Sequence, residues 1–324
     1  MKTLFVVSGG DAPGINMALA HYTALAEANR DSVMGAKGGF AGLFQGNIID
    51  LATPELTLWS GQPGSYLPSS REPVLSQPDA RTTLLEILAA HQIDSLVLFG
   101  GNGTFKHVLP LMADWGVACV GLPTTIDNDI PGTERTLGFD SACNFAYQAI
   151  DGIMATAHAL PGRIFMVETL GGNTGFLALE VALGARADIV LMPEYESSPD
   201  WLHRRLIRAV ERQGYALIVL SEGVENARTL ADQIFERTSY RVRDVRLGHA
   251  QRGARPSHID RTLAVQMAQI TYDALRGGVR TGKIVVQNNR VIVQTELTDS
   301  PAPMPDRVLY DRINGLSADG ELSR

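Results

Sequence analysis

The chain has 324 residues, about twice the roughly 100–200 of a usual single domain; at 45% hydrophobic and 19% charged it is neither disordered nor a disulfide-stapled miniprotein. A net charge of -7, from 28 basic and 35 acidic residues with no basic stripe, argues against a nucleic-acid partner. Cys119 and Cys143 lack CxxC spacing, no signal-peptide pattern follows Met1, and no apolar run approaches the ~18 residues of a membrane span, so the sequence reads as cytoplasmic, without a structural zinc or a membrane partner.

Short apolar runs alternate with amphipathic stretches of helical length, the pattern of βαβ units around a mostly parallel sheet. Leu4 to Val7 reads as a first strand, Gly9 to Gly14 as a turn and Ile15 to Ala28 as a helix. Ser76-Gln77-Pro78-Asp79 has capping-box spacing and opens a helix to about His91. Ser95 to Phe99 is the next strand, Gly100 to Gly103 a second glycine turn and Thr104 to Trp115 a helix. After strand Ala118 to Leu122 comes a polar loop, Pro123 to Gly132, and a helix over Asp140 to Ala157. The rhythm then restarts with strand Ile164 to Glu168, turn Leu170 to Gly175, a helix to Gly184 and strand Ile189 to Met192. Ser198-Pro199-Asp200 caps a helix ending at Gly214, strand Tyr215 to Leu220 follows, and Ser257 to Asp260 opens a helix that stops at Gly277-Gly278. With no low-complexity linker, the expected architecture is α/β, two apposed Rossmann-like lobes with mostly parallel sheets.

A glycine-rich turn between strand and helix offers unpaired backbone N–H groups and the positive end of a helix dipole, which suits phosphate. Neither turn is a Walker loop, because no Gly-Lys-Ser/Thr follows, and no GxGxxG with a downstream acid supports a dinucleotide site. The loop Pro123-Thr124-Thr125-Ile126-Asp127-Asn128-Asp129 puts two carboxylates two residues apart at the carboxyl end of a strand. Such a pair can hold a metal or accept a proton, and a solvated acidic loop is the ordinary alternative.

Four segments occur in order: Gly9 to Asn16, Gly100 to Thr104, Thr125 to Asp129, and Leu247-Gly248-His249-Ala250-Gln251-Arg252-Gly253. Together they closely resemble the phosphofructokinase family over about residues 3 to 290. The resemblance implies the phosphofructokinase fold, with residues 1–138 and 252–300 as the phosphoryl-donor lobe and 139–251 and 301–324 as the sugar-phosphate lobe. It also implies transfer of a phosphoryl group from ATP to the 1-hydroxyl of fructose 6-phosphate, a step of glycolysis, with Mg2+ as cofactor and a homo-oligomer, dimer or tetramer, whose active sites are shared. Diphosphate as donor, another sugar phosphate as acceptor, or a catalytically feeble sugar-phosphate-binding paralogue are the alternatives.

On these residues the resemblance makes Asp127 the general base, has Thr125 brace the transferred group and Arg71 stabilise charge developing between donor and acceptor. Gly10, Arg71, Gly101, Asn102, Gly103 and Thr104 would bind the donor, and Asp129 with Asn102 the metal. Arg163, Arg243, His249 and Arg252 would grip the sugar phosphate, the first two from a neighbouring subunit, while Thr125, Asp127, Asp129, Leu170, Gly171 and Glu222 complete the acceptor site.

The chain departs from the family pattern at several places, one of them Arg252-Gly253-Ala254, where a second glycine is usual. Asn102 stands where ATP-using members carry an aspartate that helps hold magnesium, and its neutral carbonyl is a weaker partner for a hard cation. Diphosphate-using relatives place an acid at the Gly103 position and a lysine at the Thr124 position; neither is present, which favours ATP. Glu72 to Ser76 lacks the aromatic and arginine that commonly sandwich adenine, and Leu170-Gly171-Gly172 replaces Met-Gly-Arg. Most of the basic charge of the bacterial effector site is also missing, as His21 and Glu211-Arg212-Gln213 illustrate.

Overall fold

The first apolar run becomes strand β1, Lys2–Ser8, the middle of a sheet in the computed structural model, which describes residues 1–70, 73–297, 301–317 and 320–321. Numbered along the chain, the strands beside it are β2 (Ser32–Ala36), β3 (Ile48–Asp50), β4 (Ser95–Gly100), β5 (Cys119–Thr125), β6 (Leu137–Gly138), β11 (Thr281–Gln287) and β12 (Arg290–Gln294). Their order is β12-β11-β5-β4-β1-β2-β3, with β6 added beside the end of β5; only the edge strands β3 and β12 run antiparallel to their neighbours. Strands β1 and β4 are buried along almost their whole length, which is why their sequences read as continuous apolar runs rather than alternating ones.

Each face of this sheet has its own core. Phe5, Val97 and Phe99 pack with Ile15, Leu19 and Tyr22 of helix Ile15–Ala28 and with Met267 and Tyr272 of helix His258–Arg276. Leu4, Val6, Leu96 and Leu98 point the other way, toward Leu84 and Met112. At about 1.5–3 kcal/mol for each fully buried large side chain, these two layers anchor the strand ends from which the site loops spring.

A second set of four parallel strands holds β7 (Arg163–Thr169), β8 (Ile189–Leu191), β9 (Tyr215–Ser221) and β10 (Arg241–Arg246), in the order β10-β7-β9-β8. The chain thus divides into one unit of Met1–Ser141 with Arg252–Pro303 and another of Ala142–Gln251 with Met304–Arg324.

Three local expectations change. The helix expected from Ser76 starts at Ala80, because buried Leu75 docks a short 3-10 turn, Pro73–Ser76, against the core and leaves Ser76 inside a turn rather than ahead of one. Strand β5 runs on through Pro123 and Thr124 to Thr125, expected as loop, because β6 supplies a partner there: Thr124 pairs with Leu137 and Thr125 with Gly138. The helix expected over Thr104 to Trp115 opens as a π turn, Thr104–Val108, before the α-helix Leu109–Asp114. Pro110 explains it, since its ring excludes the carbonyl four residues back and it has no N–H to give.

Candidate active site

In the first unit the two glycine turns and the acidic loop leave the carboxyl ends of β1, β4 and β5 side by side, where open parallel sheets bind ligands. They line a cleft of about 300 Å³ with Gly10, Gly101, Asn102, Gly103, Thr125, Asp127, Asp129 and Arg252 in its wall, together with Asp11, which the motif reading had left without a role. With Thr104, which also lines it, nine residues expected to bind donor, acceptor or metal are therefore brought together. Arg71 lies outside the described residues; its neighbour Ser70 accepts a hydrogen bond from the Gly9 N–H at 3.2 Å.

The turns are shaped by what only glycine tolerates. Gly9 and Gly14 have φ of +112° and +103°, and a Cβ on Gly10 would stand 2.2 Å from Arg252 Nη1, so the guanidinium lies on the glycine itself. A Cβ on Gly100 would come within 2.7 Å of the Ser8 carbonyl oxygen. Thr104 also lines the cleft; its hydroxyl donates to that Ser8 carbonyl at 2.8 Å and its N–H to the Gly101 carbonyl at 3.0 Å, so these two donors brace the turn. Gly103 is the opposite case, with nothing within 4 Å of the space a Cβ would occupy.

The acidic loop is held from below. The Asp127 N–H donates to Thr125 Oγ1 at 3.1 Å. Asn128, at φ +54°, accepts from the Thr136 N–H at 2.8 Å, and Thr136 Oγ1 donates to the Thr125 carbonyl at 2.7 Å. The left-handed Asn128, one of the residue types that adopts this conformation most readily, turns the chain so that its two carboxylate neighbours both line the cleft. Behind it, buried Asp260 accepts from the Gly138 N–H at 2.9 Å, the Ser141 N–H at 2.8 Å and the Ser141 hydroxyl. That carboxyl fixes β6, and β6 fixes Thr124 and Thr125. Burial pushes Asp260 up to about 6 against the pull of those three donors.

Burial also raises the Asp129 carboxyl above its usual range, opposed by a hydrogen bond from the Asn102 side-chain amide. Asp129 Oδ1 is buried and has no hydrogen-bond partner among the described residues. An orphaned carboxylate oxygen in the wall of this cleft fits one ligand of a hard divalent cation. Among the described residues no group of three or more His, Cys, Asp or Glu could hold a metal by themselves, so the rest of its shell would have to come from phosphate oxygens and water.

The second unit carries the other expected residues. Arg163 opens β7 with its Nη1 buried and without a hydrogen-bond partner among the described residues, and Arg241 of β10 is its partner in register. Arg243 follows two residues on, hence on the same face of this exposed edge strand, so three guanidinium groups share one face. At the other end of β7 the Leu170 N–H is taken by buried Gln251 at 2.8 Å, and Gly171 has φ +144°. The Gly172 N–H donates to Glu222 Oε1 at 2.9 Å, which occupies one of the two carboxylate oxygens expected on sugar hydroxyls. His249 is exposed on the short turn Gly248–Gln251. Thr136 and Arg241 were not named from sequence, whereas Asn128, Asp260 and Gln251 stood in quoted segments without a role in the site.

Comparison with known proteins agrees with this architecture. Residues 2–275 match the family described as Phosphofructokinase. An ATP-dependent 6-phosphofructokinase of Coxiella burnetii is 35% identical over 94% of this chain and 91% of its own length. Among solved structures, a phosphofructokinase of Saccharomyces cerevisiae superposes with a TM-score of 0.83 at 24% identity, over 91% of this chain and 44% of that one, so the chain spans less than half of the yeast subunit. A pyrophosphate-dependent phosphofructokinase of Marinobacter aquaeolei superposes with a TM-score of 0.81 at 19% identity, over all of this chain and 88% of that one. On its matched motifs, its relatives and its fold, the chain belongs to the phosphofructokinase family.

Proposed function

We propose that the cleft of the first unit transfers the terminal phosphoryl group of ATP to the 1-hydroxyl of fructose 6-phosphate, with Asp127 as the general base. The protein is a phosphotransferase acting on a hydroxyl group, a kinase of the 6-phosphofructokinase type. The observation that carries the assignment is the joint placement of Asp127, Asp129 and the two glycine turns around one cleft. Phosphoryl transfer asks little covalent chemistry of a protein; it needs an oriented oxygen nucleophile and compensation of phosphate charge.

The geometry supports the following division of labour. Gly101, Asn102 and Gly103 lie against the donor phosphates, and open space at Gly103 admits the nucleotide side of a triphosphate. Thr125 and Asp127 hold the acceptor hydroxyl, and the carboxylate takes its proton as the oxygen attacks. Arg252, held on Gly10, puts a guanidinium against the phosphate being transferred or against the acceptor phosphate. Arg71 adds positive charge from the adjoining segment. Asp129 and the Asn102 carbonyl would hold Mg2+, which when bound neutralises charge on the donor phosphates. The acceptor phosphate is gripped by Arg163, Arg243 and His249 of the second unit, the arginines serving a neighbouring subunit of a homo-oligomer, with Leu170, Gly171 and Glu222 around the sugar. In this assignment Met1–Ser141 with Arg252–Pro303 is the donor lobe and the other unit the sugar-phosphate lobe.

No helix among the described residues is long and apolar enough to cross a membrane, which fits a cytoplasmic enzyme. The test is a coupled assay crossing ATP, GTP and diphosphate with a panel of phosphorylated sugars. Turnover should be fastest with ATP and fructose 6-phosphate; fructose 6-phosphate bound tightly but never phosphorylated by any donor would replace the kinase with a sensor.

A further inference from the structure

Gln251 has no part in the division of labour above, yet it is fully buried and both ends of its amide are used. Its Oε1 accepts the Leu170 N–H at 2.8 Å, and its Nε2 donates to the Ala142 carbonyl at 3.4 Å, a long bond. All three residues belong to the second unit. Burying an amide costs free energy that only its hydrogen bonds offset, so a glutamine withdrawn from solvent in this way needs a reason.

The reason lies in how the sheet ends. Strands β7 and β10 pair from Arg163 with Arg241 to Glu168 with Arg246, and the Leu247 N–H still bonds to the Glu168 carbonyl at 3.0 Å. The chain then turns at Gly248, φ +53°, into the turn Gly248–Gln251 that carries His249. Strand β10 thus ends before it can supply an acceptor for the buried Leu170 N–H, and the Gln251 side chain supplies one in its place. The turn after β7 hangs on that bond. Gly171, φ +144°, follows directly, and its carbonyl accepts from the N–H and the hydroxyl of Thr174 at 3.0 and 2.9 Å. The Gly172 N–H reaches Glu222 Oε1 at 2.9 Å, and the Glu222 N–H bonds back to the Thr169 carbonyl at 2.9 Å. One side-chain amide therefore ties the turn after β10 to the turn after β7, and that turn to the residue after β9. We propose that Gln251 is a positioning residue for the acceptor: shielded from solvent and so unable to touch the sugar phosphate, it sets the Leu170–Gly172 turn, and through it Glu222, in place relative to His249. This rests on the acceptor assignment made above for those residues.

The experiment is steady-state kinetics of the whole protein carrying Gln251→Met or Gln251→Glu, beside amide hydrogen exchange over residues 166–176. Methionine keeps the length of the side chain but has only a weak sulfur acceptor, whereas glutamate keeps an oxygen for the Leu170 N–H whether or not it is ionised. Gln251→Met should raise the KM for fructose 6-phosphate about tenfold, the scale of one lost hydrogen bond, with the KM for ATP unchanged and turnover at saturation lowered by no more than about threefold. Exchange over the turn should quicken in the same variant. Gln251→Glu should recover most of the affinity and of the protection. Gln251→Asn, whose amide is one methylene too short to reach Leu170, should behave as Gln251→Met does and replaces it if that variant does not fold. An unchanged KM for fructose 6-phosphate in Gln251→Met or Gln251→Asn, a KM for ATP raised by the same factor, or a Gln251→Glu protein no better than Gln251→Met overturns the positioning role. Arg163→Ala with an unchanged KM for fructose 6-phosphate would instead refute the acceptor assignment beneath it.

Discussion

Removing the Asp260 carboxyl should weaken the fold and the site together. Asp260→Ala takes away the acceptor for the Gly138 and Ser141 amides, bonded at 2.9 and 2.8 Å, and for the Ser141 hydroxyl, all buried. The hydroxyl can turn to another acceptor; the two amides cannot. At about 1–3 kcal/mol for each buried donor left unsatisfied, the loss is about 2–6 kcal/mol, a large part of the stability of an ordinary domain. Asp260→Asn keeps one acceptor oxygen and should lose about half as much. The pH dependence has a definite sign. The folded carboxyl sits at about 6, above the ordinary value of 3.8, so its favourable contribution is complete below the unfolded value and is lost as pH rises through about 6. Between pH 7 and 5 the difference in stability between wild type and Asp260→Asn should therefore shift in favour of wild type by about 1 kcal/mol. Urea unfolding followed by circular dichroism at both pH values measures it. Because β6 holds Thr124 and Thr125, turnover should fall in both variants even where they remain folded. An Asp260→Ala protein within about 0.5 kcal/mol of wild type, or a difference that shifts the other way on acidification, would refute the reasoning.

Asn102→Asp sets a second carboxylate against Asp129, so half-maximal turnover should need several times less magnesium than in wild type, read from turnover against magnesium; an unchanged or higher requirement would mean Asn102 does not face the metal. Arg252→Ala and Arg163→Ala should each raise the KM for fructose 6-phosphate about tenfold or more, the scale of a lost charge-assisted hydrogen bond, with little change for ATP in the case of Arg163. Arg241→Gln, next to Arg163 in register, should show a smaller rise of the same kind, and equal acceptor kinetics in all three would remove the arginine grip. Mixing Asp127→Asn with Arg163→Ala subunits should restore activity if active sites are shared, and hybrid oligomers that stay inactive would contradict sharing.

Much of this architecture was legible because its signals are local. Helix Ile15–Ala28 and the buried strands β1, β4, β7 and β9 follow from apolar runs broken by glycine or from helical periodicity. Strand β10, with four of its six residues charged, does not look like a strand, because an edge strand solvated on its outer side needs no apolar run. The capping box at Ser257 is half present: its hydroxyl accepts from the Asp260 N–H at 3.2 Å, but the Asp260 carboxyl turns away to Gly138 and Ser141, about 120 residues distant in sequence. The competition between a local cap and a remote pair of amides is not visible in four residues. The cleft residues were legible as motifs, whereas the bonds that hold them, from Asn128, Thr136 and Asp260, are tertiary. That Thr104 braces its glycine turn is revealed only by the contact with Ser8.

The central claim is that Asp127 takes the proton from the acceptor hydroxyl. It is tested most directly by measuring turnover of Asp127→Asn with saturating ATP, magnesium and fructose 6-phosphate, beside the binding affinity for fructose 6-phosphate. Asparagine keeps the size of the side chain and one acceptor oxygen but has no basic site, so turnover should fall by at least about a hundredfold while affinity changes little. Turnover within a few-fold of wild type would contradict the mechanism.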